Sequence, residues 1–547
     1  MNRAANLGNV LTETARRYGA DTGFVHGDER LGWRALERSA NALGAALMRL
    51  GVGRGDRVAV HVPNGRALFE SMYAVMRTGG VYTPVNPRAA SPEIVQMIGL
   101  CDAKALIVSD DKLAEAADAA VRAPGGLDVI VVGSASPPAG AAGRWHSWDA
   151  LVRAHADAET VSVPVDRDDI CWHSFTSGTT GVPKGGLNSH GGIAHSILHR
   201  LAEVTPGLGP HDRLLAVAWI GHGTGTMTTA STMVGSPTIV PEGESFDPGL
   251  CWDLIERHAI TTMFTVPTIL MRLLRHEKAA RADRSRLAHV VVTGAAISAA
   301  DLDFAVGMLG EGLVQYYGAV EAVGAGTVVR PKHEPAPAGA ARTIGRARIG
   351  SELLIAGEDM RPCAEGEVGE ICLGGPGVFR GYYKDPAATA AVFRDGWYLT
   401  GDLGYRDATG RVFLAGRKKE MFKSGGLQVY PNEIQDHLAA HDAVEEAHVL
   451  NLPDSDLGEI GVAAVALKPG AAITEQALID HLGARIARYK LPRRIFILDS
   501  LPRNPNGKVP KALIKDSLLS RGLIREGEDV ARRAETGAKA EGKHLHG

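Results

Sequence analysis

Hydrophobic residues follow two spacings in the first 300 residues, and the alternation between them predicts α/β architecture. Leu36, Ala40 and Leu43 recur at the three- and four-residue intervals of an amphipathic helix, and Gly51 follows where that helix would end. Other apolar segments are short and β-branched, which is typical of buried strands. Such strands are predicted at 57–62, 105–108, 129–132, 170–175 and 289–293. Helical stretches separate them, so we expect largely parallel sheets.

The pattern changes after residue 345. Short strands broken by glycine and aspartate turns, at 369–374, 396–400 and 410–414, predict a smaller β-rich subdomain. A basic segment then precedes a compact α+β stretch, and from residue 518 onward apolar periodicity is weak, which predicts a flexible tail. The predicted division is 1–416 for an N-terminal domain, 417–419 for a hinge, 420–517 for a C-terminal domain and 518–547 for the tail.

The length, composition and net charge of the chain are typical of a globular protein with more than one domain. A chain of 547 residues exceeds one ordinary core, and 45% hydrophobic with 22% charged residues is typical of globular proteins. A net charge of −3 argues against a nucleic-acid partner, and the lack of a long apolar run argues against membrane insertion. The five cysteines are scattered and the first residues lack the apolar core of a signal peptide, so we expect a cytoplasmic protein with reduced thiols.

The densest chemical signal is the run Thr176-Ser-Gly-Thr-Thr-Gly-Val-Pro-Lys-Gly185, directly after a predicted strand. Glycines allow backbone N–H groups to turn toward an anion, hydroxyls add donors, and Lys184 adds a positive charge. This composition predicts a loop that binds a polyphosphate, although Pro183 distinguishes it from the Walker-type loop. Its candidate ligands are Thr176, Ser177, Gly178, Thr179, Thr180, Gly181 and Lys184.

The loop closely resembles the phosphate-binding loop of the adenylate-forming superfamily, which contains the acyl-CoA synthetases. Further segments resemble motifs of that superfamily, in order, along nearly the whole chain: 292–297, 315–321, 398–403, 416–426 and 502–508. The resemblance implies a large N-terminal domain of stacked mixed sheets with flanking helices and a β-rich subdomain, followed by a small mobile α+β domain. It also implies ATP, Mg²⁺, coenzyme A and a small carboxylic acid as the molecules bound.

Site residues follow from the matched motifs. Tyr317 would stack on adenine, Asp402 and Arg417 would hold the ribose, and Glu321 would hold Mg²⁺. Catalytic roles are implied for Lys184, Glu321 and Lys508. The residues that the resemblance implies in ATP binding beyond the loop are Gly294, Ala295, Ala296, Gln315, Tyr316, Tyr317, Gly318, Asp402, Arg417 and Lys508.

The implied reaction has two steps. The carboxylate attacks the α-phosphorus of ATP and pyrophosphate leaves; the thiol of coenzyme A then attacks the acyl-adenylate and AMP leaves. Between the steps the C-terminal domain would rotate about Lys419, which moves Lys508 away from the site. The same rotation would bring Ser424, Gly425 and Gly426 to the pantetheine channel, where glycines allow a close approach of the backbone.

One position departs from the superfamily pattern. Val320 stands where the aromatic–Gly–x–Thr–Glu motif usually has threonine, so a hydroxyl near the phosphates is missing. A hydrogen bond to a charged group is worth about 1.5–3 kcal/mol, and its loss would slow adenylation roughly ten- to a hundredfold. Thr179 and Thr180 are candidates for a replacement donor.

The segment 218–226 resembles the superfamily's His-containing motif beside the acyl pocket. His222, Gly223 and Thr224 are predicted to line that pocket, and the small residues there leave room for a chain-like or ring-bearing acid. A purely structural role for this histidine stays open. His195 and His199 have helical i,i+4 spacing without the acidic base of zinc proteases, and we interpret them as ordinary helix residues.

Two alternatives to a carboxylate–CoA ligase stay open. The chain could load a carrier protein or another acceptor, but no carrier domain is fused and segment 423–426 resembles CoA ligases. It could also be a catalytically weak nucleotide-binding protein, as Val320 suggests, although Lys184, Glu321 and Lys508 argue against this. The acid is not identified, with a weak preference for a medium-length aliphatic or ring-bearing one. A homodimer is an expectation at the level of the superfamily.

Overall fold

The computed structural model describes residues 3–89, 91–123, 126–176, 183–243, 245–335, 342–503 and 509–524. Two large sheets with their covering helices account for most of these residues, and a smaller sheet with helices follows. The predicted α/β class is confirmed. A short pairing of Arg3–Ala4 with Val165–Asp166 ties the beginning of the chain to the edge of the large domain.

The first large sheet is parallel except at one edge. Its central strands are buried along nearly their whole length, as expected for a sheet with helices on both faces. The predictions at 57–62, 105–108 and 129–132 are confirmed to within one residue at each end. In spatial order the strands are Lys184–Ser189, Ile170–Thr176, Val81–Pro84, Arg57–His61, Ala105–Ser109, Asp128–Val132 and Arg144–Ser147.

The second large sheet is longer and mixed. Its centre is parallel, and the pairing of Thr327–Val329 with Thr343–Ala347 continues it into the region predicted as a β-rich subdomain. That region has a core of its own but shares one hydrogen-bonded sheet with the rest. In spatial order the strands are Glu352–Ala356, Gly369–Gly374, Trp397–Arg406, Val412–Arg417, Thr343–Ala347, Thr327–Val329, Leu313–Tyr317, His289–Val292, Thr262–Thr265, Leu214–Leu215, Thr238–Val240, Thr22–His26 and Glu29–Gly32, with Phe393–Arg394 beside Trp397–Arg406.

Helices fill the space between the two sheets and cover their outer faces. Phe69 lies in one of the shared helices and packs 5.3 Å, centroid to centroid, from Phe24 of the second sheet. Val58 of the first sheet belongs to the same buried cluster, so this core joins both sheets. The helices are Val10–Tyr18, Trp33–Arg49, Arg66–Arg77, Ser91–Leu100, Leu113–Arg122, Trp148–Ala154, His190–His199, Gly225–Met233, Pro248–His258, Pro267–Leu274, Ala299–Leu309 and Pro386–Val392.

The C-terminal part packs around separate apolar clusters. The predicted start of the tail at residue 518 needs correction, because Leu518 and Ile524 are 0% and 4% exposed in one of these clusters. The hinge and the other boundaries stay predictions. The strands of this part, in spatial order, are Leu427–Val429, Phe422–Ser424, Gly458–Leu467 and Val444–Asp454, with Arg494–Leu498 beside Gly458–Leu467; the helices are Pro431–Ala439, Glu475–Gly483 and Lys511–Ser520.

Across the described ranges, the helices are all too short or too polar to cross a bilayer.

Candidate active site

The two ends of the predicted phosphate loop meet at the edge of the first sheet. Strand Ile170–Thr176 pairs antiparallel with Lys184–Ser189, and Thr176 stands opposite Lys184 in the register. The hairpin therefore closes the loop and presents Lys184 at its exit. Ser177, Gly178, Thr179, Thr180 and Gly181 lie outside the described residues, as do Lys508 and the side chain of Thr176, and their roles stay predictions.

A tyrosine that the sequence analysis did not select lies between the predicted catalytic groups. Tyr382 forms an antiparallel bridge with Gly186, and the centre of its ring lies 5.3 Å from Nζ of Lys184. Its hydroxyl donates a hydrogen bond of 2.9 Å to Oε1 of Glu321. Burial, and next the negative charge of Glu321, raise the pKa of Tyr382 above its usual value, so the hydroxyl stays a donor at neutral pH.

Glu321 is held through its backbone as well. It lies in a short 3₁₀ turn, Val320–Ala322, and its carbonyl accepts a hydrogen bond of 2.8 Å from the N–H of Phe379. The segment around residues 379–382 therefore fixes both the main chain and the carboxylate of this residue. In the sequence Tyr382 is simply the first of two adjacent tyrosines after Gly381, and nothing in this short segment indicates a role in the site.

The predicted ribose ligands form one connected group. Asp402 and Arg417 are partners in antiparallel strands, and Nε of Arg417 lies 2.9 Å from Oδ1 of Asp402. The hydroxyl of Tyr317 donates to Oδ2 of the same carboxylate at 2.7 Å. Burial raises the pKa of Asp402, while Arg417 acts in the opposite direction. The carboxylate is therefore held between Arg417 and Tyr317, the residue predicted to stack on adenine.

The residues predicted around adenine follow the ends of two neighbouring parallel strands. His289–Val292 pairs with Leu313–Tyr317, with Val292 opposite Gln315. Ligands of α/β proteins bind at such carboxyl ends. Three of the predicted ATP-binding residues, Gly294, Ala295 and Ala296, follow the first strand and are exposed. Gly318 follows the second strand and is half-buried.

Neighbouring tyrosines in that second strand face opposite ways, as the alternation of a strand requires. Tyr317 reaches Asp402, whereas the hydroxyl of Tyr316 donates to the carbonyl of Val323 at 2.9 Å. The ring of Tyr316 belongs to a different apolar cluster. The role predicted for Tyr316 in ATP binding stays a prediction, and it would involve the backbone of this residue, because its side chain points away from Asp402.

A small cavity adjoins the motif that carries Glu321. His222 and Gly223 border it, as predicted, while Thr224 is buried and Thr226 borders it instead. Val320 also borders this space, so the position that departs from the superfamily pattern faces the predicted acid pocket. The lining is completed by Trp172, Ser174, Asn188, Ile193 and Val323, which the sequence analysis did not select.

The predicted hinge motif lies between strand Val412–Arg417 of the second large sheet and strand Phe422–Ser424 of the C-terminal sheet. Nζ of Lys418 forms an ion pair of 2.7 Å with Glu370, and its N–H donates to the carbonyl of Gly401 at 2.8 Å. Lys419 lies in the turn that follows. The predicted pantetheine residues are found at a hairpin in which the buried Ser424 pairs with Leu427, and Gly425 and Gly426 adopt positive φ angles of 56° and 81°. Glycine favours that backbone conformation.

Comparison with known proteins identifies the family. Residues 11–383 match the AMP-binding enzyme family, and residues 433–508 match the AMP-binding enzyme C-terminal domain. The chain therefore belongs to the family of AMP-binding enzymes.

Individual relatives narrow the class. The chain is 33% identical over 523 residues to a feruloyl-CoA synthase of an Amycolatopsis species, covering 94% of this chain and 99% of that protein. It is 34% identical over 493 residues to an indoleacetate–CoA ligase of Aromatoleum aromaticum, covering 90% and 93%. ATP-bound MatB from Rhodopseudomonas palustris has a similar structure, with a TM-score of 0.80, 26% identity and coverage of 94% and 98%. The predicted class, an AMP-forming carboxylate–CoA ligase, is confirmed.

Proposed function

We propose that this ligase activates a compact, ring-bearing carboxylic acid and transfers it to coenzyme A. The observation that carries the proposal is the set of side chains that line the cavity between His222 and Val320. Trp172, Ile193 and Val320 give it flat and branched apolar walls, which suit a ring better than a flexible chain. The feruloyl and indoleacetate names of two relatives support the same class of acid.

The nucleotide would lie between the loop hairpin and the second sheet. Asp402, with one oxygen bound by Tyr317 and the other by Arg417, is positioned to accept hydrogen bonds from ribose hydroxyls. The ammonium group of Lys184 at the loop exit supplies positive charge for the phosphates. Charge of this kind lowers the barrier when it is positioned before the reaction begins, because the phosphoryl oxygens gain negative charge in the transition state.

Glu321 is the proposed ligand of Mg²⁺. Carboxylate oxygens suit this ion, and the hydrogen bond from Tyr382 engages only Oε1. A bound Mg²⁺ would neutralise charge on the polyphosphate. Within the described residues, no group of three or more carboxylate, histidine or cysteine side chains is placed to bind a metal, so the substrate phosphates would supply the remaining ligands.

The second step requires a different arrangement of the domains. We propose that the C-terminal domain turns about Lys419 and carries Lys508 out of the site and Ser424, Gly425 and Gly426 toward the thiol channel. The ion pair between Lys418 and Glu370 holds the hinge segment to the large domain next to this pivot. A cytoplasmic location is part of the proposal, since all five cysteines are free thiols. The homodimer stays a prediction.

The test measures AMP formed from ATP and Mg²⁺ with a panel of acids, each with and without coenzyme A, and detects thioester by mass. We expect aryl-propenoic and arylacetic acids to give thioester with a higher kcat/KM than straight-chain acids of equal carbon number. Pyrophosphate exchange without thioester would indicate another acceptor. A preference for straight chains would contradict the assignment of the cavity, and no AMP with any acid would contradict the proposal as a whole.

A further inference from the structure

Two arginines lie buried behind the acid cavity, and neither has a carboxylate partner among the described residues. Arg200 and Arg348 are each 1% exposed. Nε and Nη1 of Arg200, and all three guanidinium nitrogens of Arg348, are buried and lack a hydrogen-bond partner among the described residues. The carboxylate of Glu203 accepts a hydrogen bond from the N–H of Ile349 and forms no ion pair with either arginine.

Both guanidinium groups pack on the same aromatic ring. Their central carbons lie 5.1 Å (Arg200) and 4.5 Å (Arg348) from the centre of Tyr316, and Arg200 also lies 4.9 Å from Phe264. Cation–π contacts recover only part of the cost of removing a guanidinium group from water, and a second cation on the same ring adds repulsion. A bound anion would stabilise the two guanidinium groups, because it would accept their unpaired hydrogen bonds and offset their repulsion.

The surrounding histidines contribute donors without adding charge. His195 and His199 pack with ring centroids 3.9 Å apart, and each has a buried ring nitrogen without a partner among the described residues. Burial is the main cause that lowers the pKa of both, to about 4 for His199, so they are neutral at pH 7. The histidines that we interpreted as ordinary helix residues are therefore neighbours of Arg348, whose charge acts on both.

One layer of side chains separates this cluster from the acid cavity. The hydroxyls of Tyr316 and Ser196 both donate to the carbonyl of Val323, at 2.9 and 2.7 Å, and Val323 borders the cavity. On the other side, Phe264 lies so close to Gly223, another cavity residue, that a Cβ there would meet its ring at 2.9 Å. The arginine cluster therefore lies directly behind the wall of the cavity, beyond Val323 on one side and Phe264 on the other.

We propose that Arg200 and Arg348 form a binding site for one small anion, such as a carboxylate or a halide. Guanidinium N–H groups match the geometry of a carboxylate, and a fully desolvated pair binds it strongly. The anion is either a second acidic group carried by the substrate, which rests on the proposed function, or a free ion. In both cases the chemistry of recognition is the same.

The first arm of the test compares ring-bearing acids in pairs, such as 3-phenylpropanoate with 3-(4-carboxyphenyl)propanoate, by kcat/KM for AMP formation. If the substrate carries the anion, we expect at least a tenfold preference for the diacid, lost in both Arg348→Met and Arg200→Met. Arg361→Met is the matched control, because Arg361 is 86% exposed and forms an ion pair with the neighbouring Asp359, far from the two buried arginines in the sequence. The preference should persist in that variant.

The second arm measures thermal unfolding of the full chain in sodium chloride against sodium gluconate at constant ionic strength. A free-ion site predicts a midpoint that rises by several degrees and saturates with chloride in the unmodified and Arg361→Met proteins, but not in Arg348→Met or Arg200→Met. This readout does not depend on activity, so it separates the site from the proposed function. If neither arm shows a dependence that these two variants remove, the proposal is overturned.

Discussion

Replacing Tyr382 by phenylalanine would remove one hydroxyl and keep the ring that lies beside Lys184. The lost interaction is the 2.9 Å hydrogen bond to Oε1 of Glu321. Hydrogen bonds to charged groups contribute about 1.5–3 kcal/mol, and because Glu321 is half-buried we expect the lower part of that range. Since 1.4 kcal/mol is a factor of ten, the concentration of Mg²⁺ that half-activates adenylation should rise roughly tenfold.

The assay titrates Mg²⁺ at saturating acid and follows AMP formation. The neighbouring Tyr383 offers a matched control, because its hydroxyl donates to Asp102 at 2.7 Å and not to Glu321. We expect Tyr383→Phe to keep the Mg²⁺ dependence of the unmodified protein. An unchanged Mg²⁺ curve for Tyr382→Phe, or an equal shift in both variants, would refute the idea that Tyr382 positions the metal ligand.

Three further predictions concern other parts of the molecule. Val320→Thr should speed acid-dependent pyrophosphate exchange about tenfold, because it introduces the hydroxyl that the superfamily motif usually has and that the resemblance places near the phosphates; an unchanged rate would contradict this. Asp402→Asn should raise the KM for ATP about tenfold or more, since the carboxylate is the proposed ribose ligand, whereas Asp407→Asn, at an aspartate paired with an arginine of its own turn, should leave it unchanged. Burial raises the pKa of Glu70 to about 7, so the folded state keeps a proton that the unfolded state releases near pH 4.5. The free energy of unfolding should therefore fall by roughly 3 kcal/mol between pH 4.5 and 8, and urea titrations of Glu70→Gln should show a flatter profile.

The sequence determined the elements whose signal is local. Apolar β-branched runs located the central strands of the first sheet to within one residue, because burial on both faces leaves an uninterrupted hydrophobic segment. The predicted phosphate loop also has a local signal, because eight of the ten residues 176–185 are glycine, serine, threonine or lysine. The predicted tail failed in its first residues, because helix Lys511–Ser520 continues past residue 518, and Leu518 and Ile524 are buried in the same cluster as Ile514.

Only the tertiary structure decided which side chains meet. Tyr382 and Glu321 are 61 positions apart, and a sheet-edge pairing brings them together. Tyr316 and Tyr317 are adjacent in the sequence, but strand alternation sends one toward Arg348 and the other toward Asp402. Local periodicity shows that a residue is buried, whereas its partner depends on register and on packing between distant segments, and no short stretch of sequence contains that information.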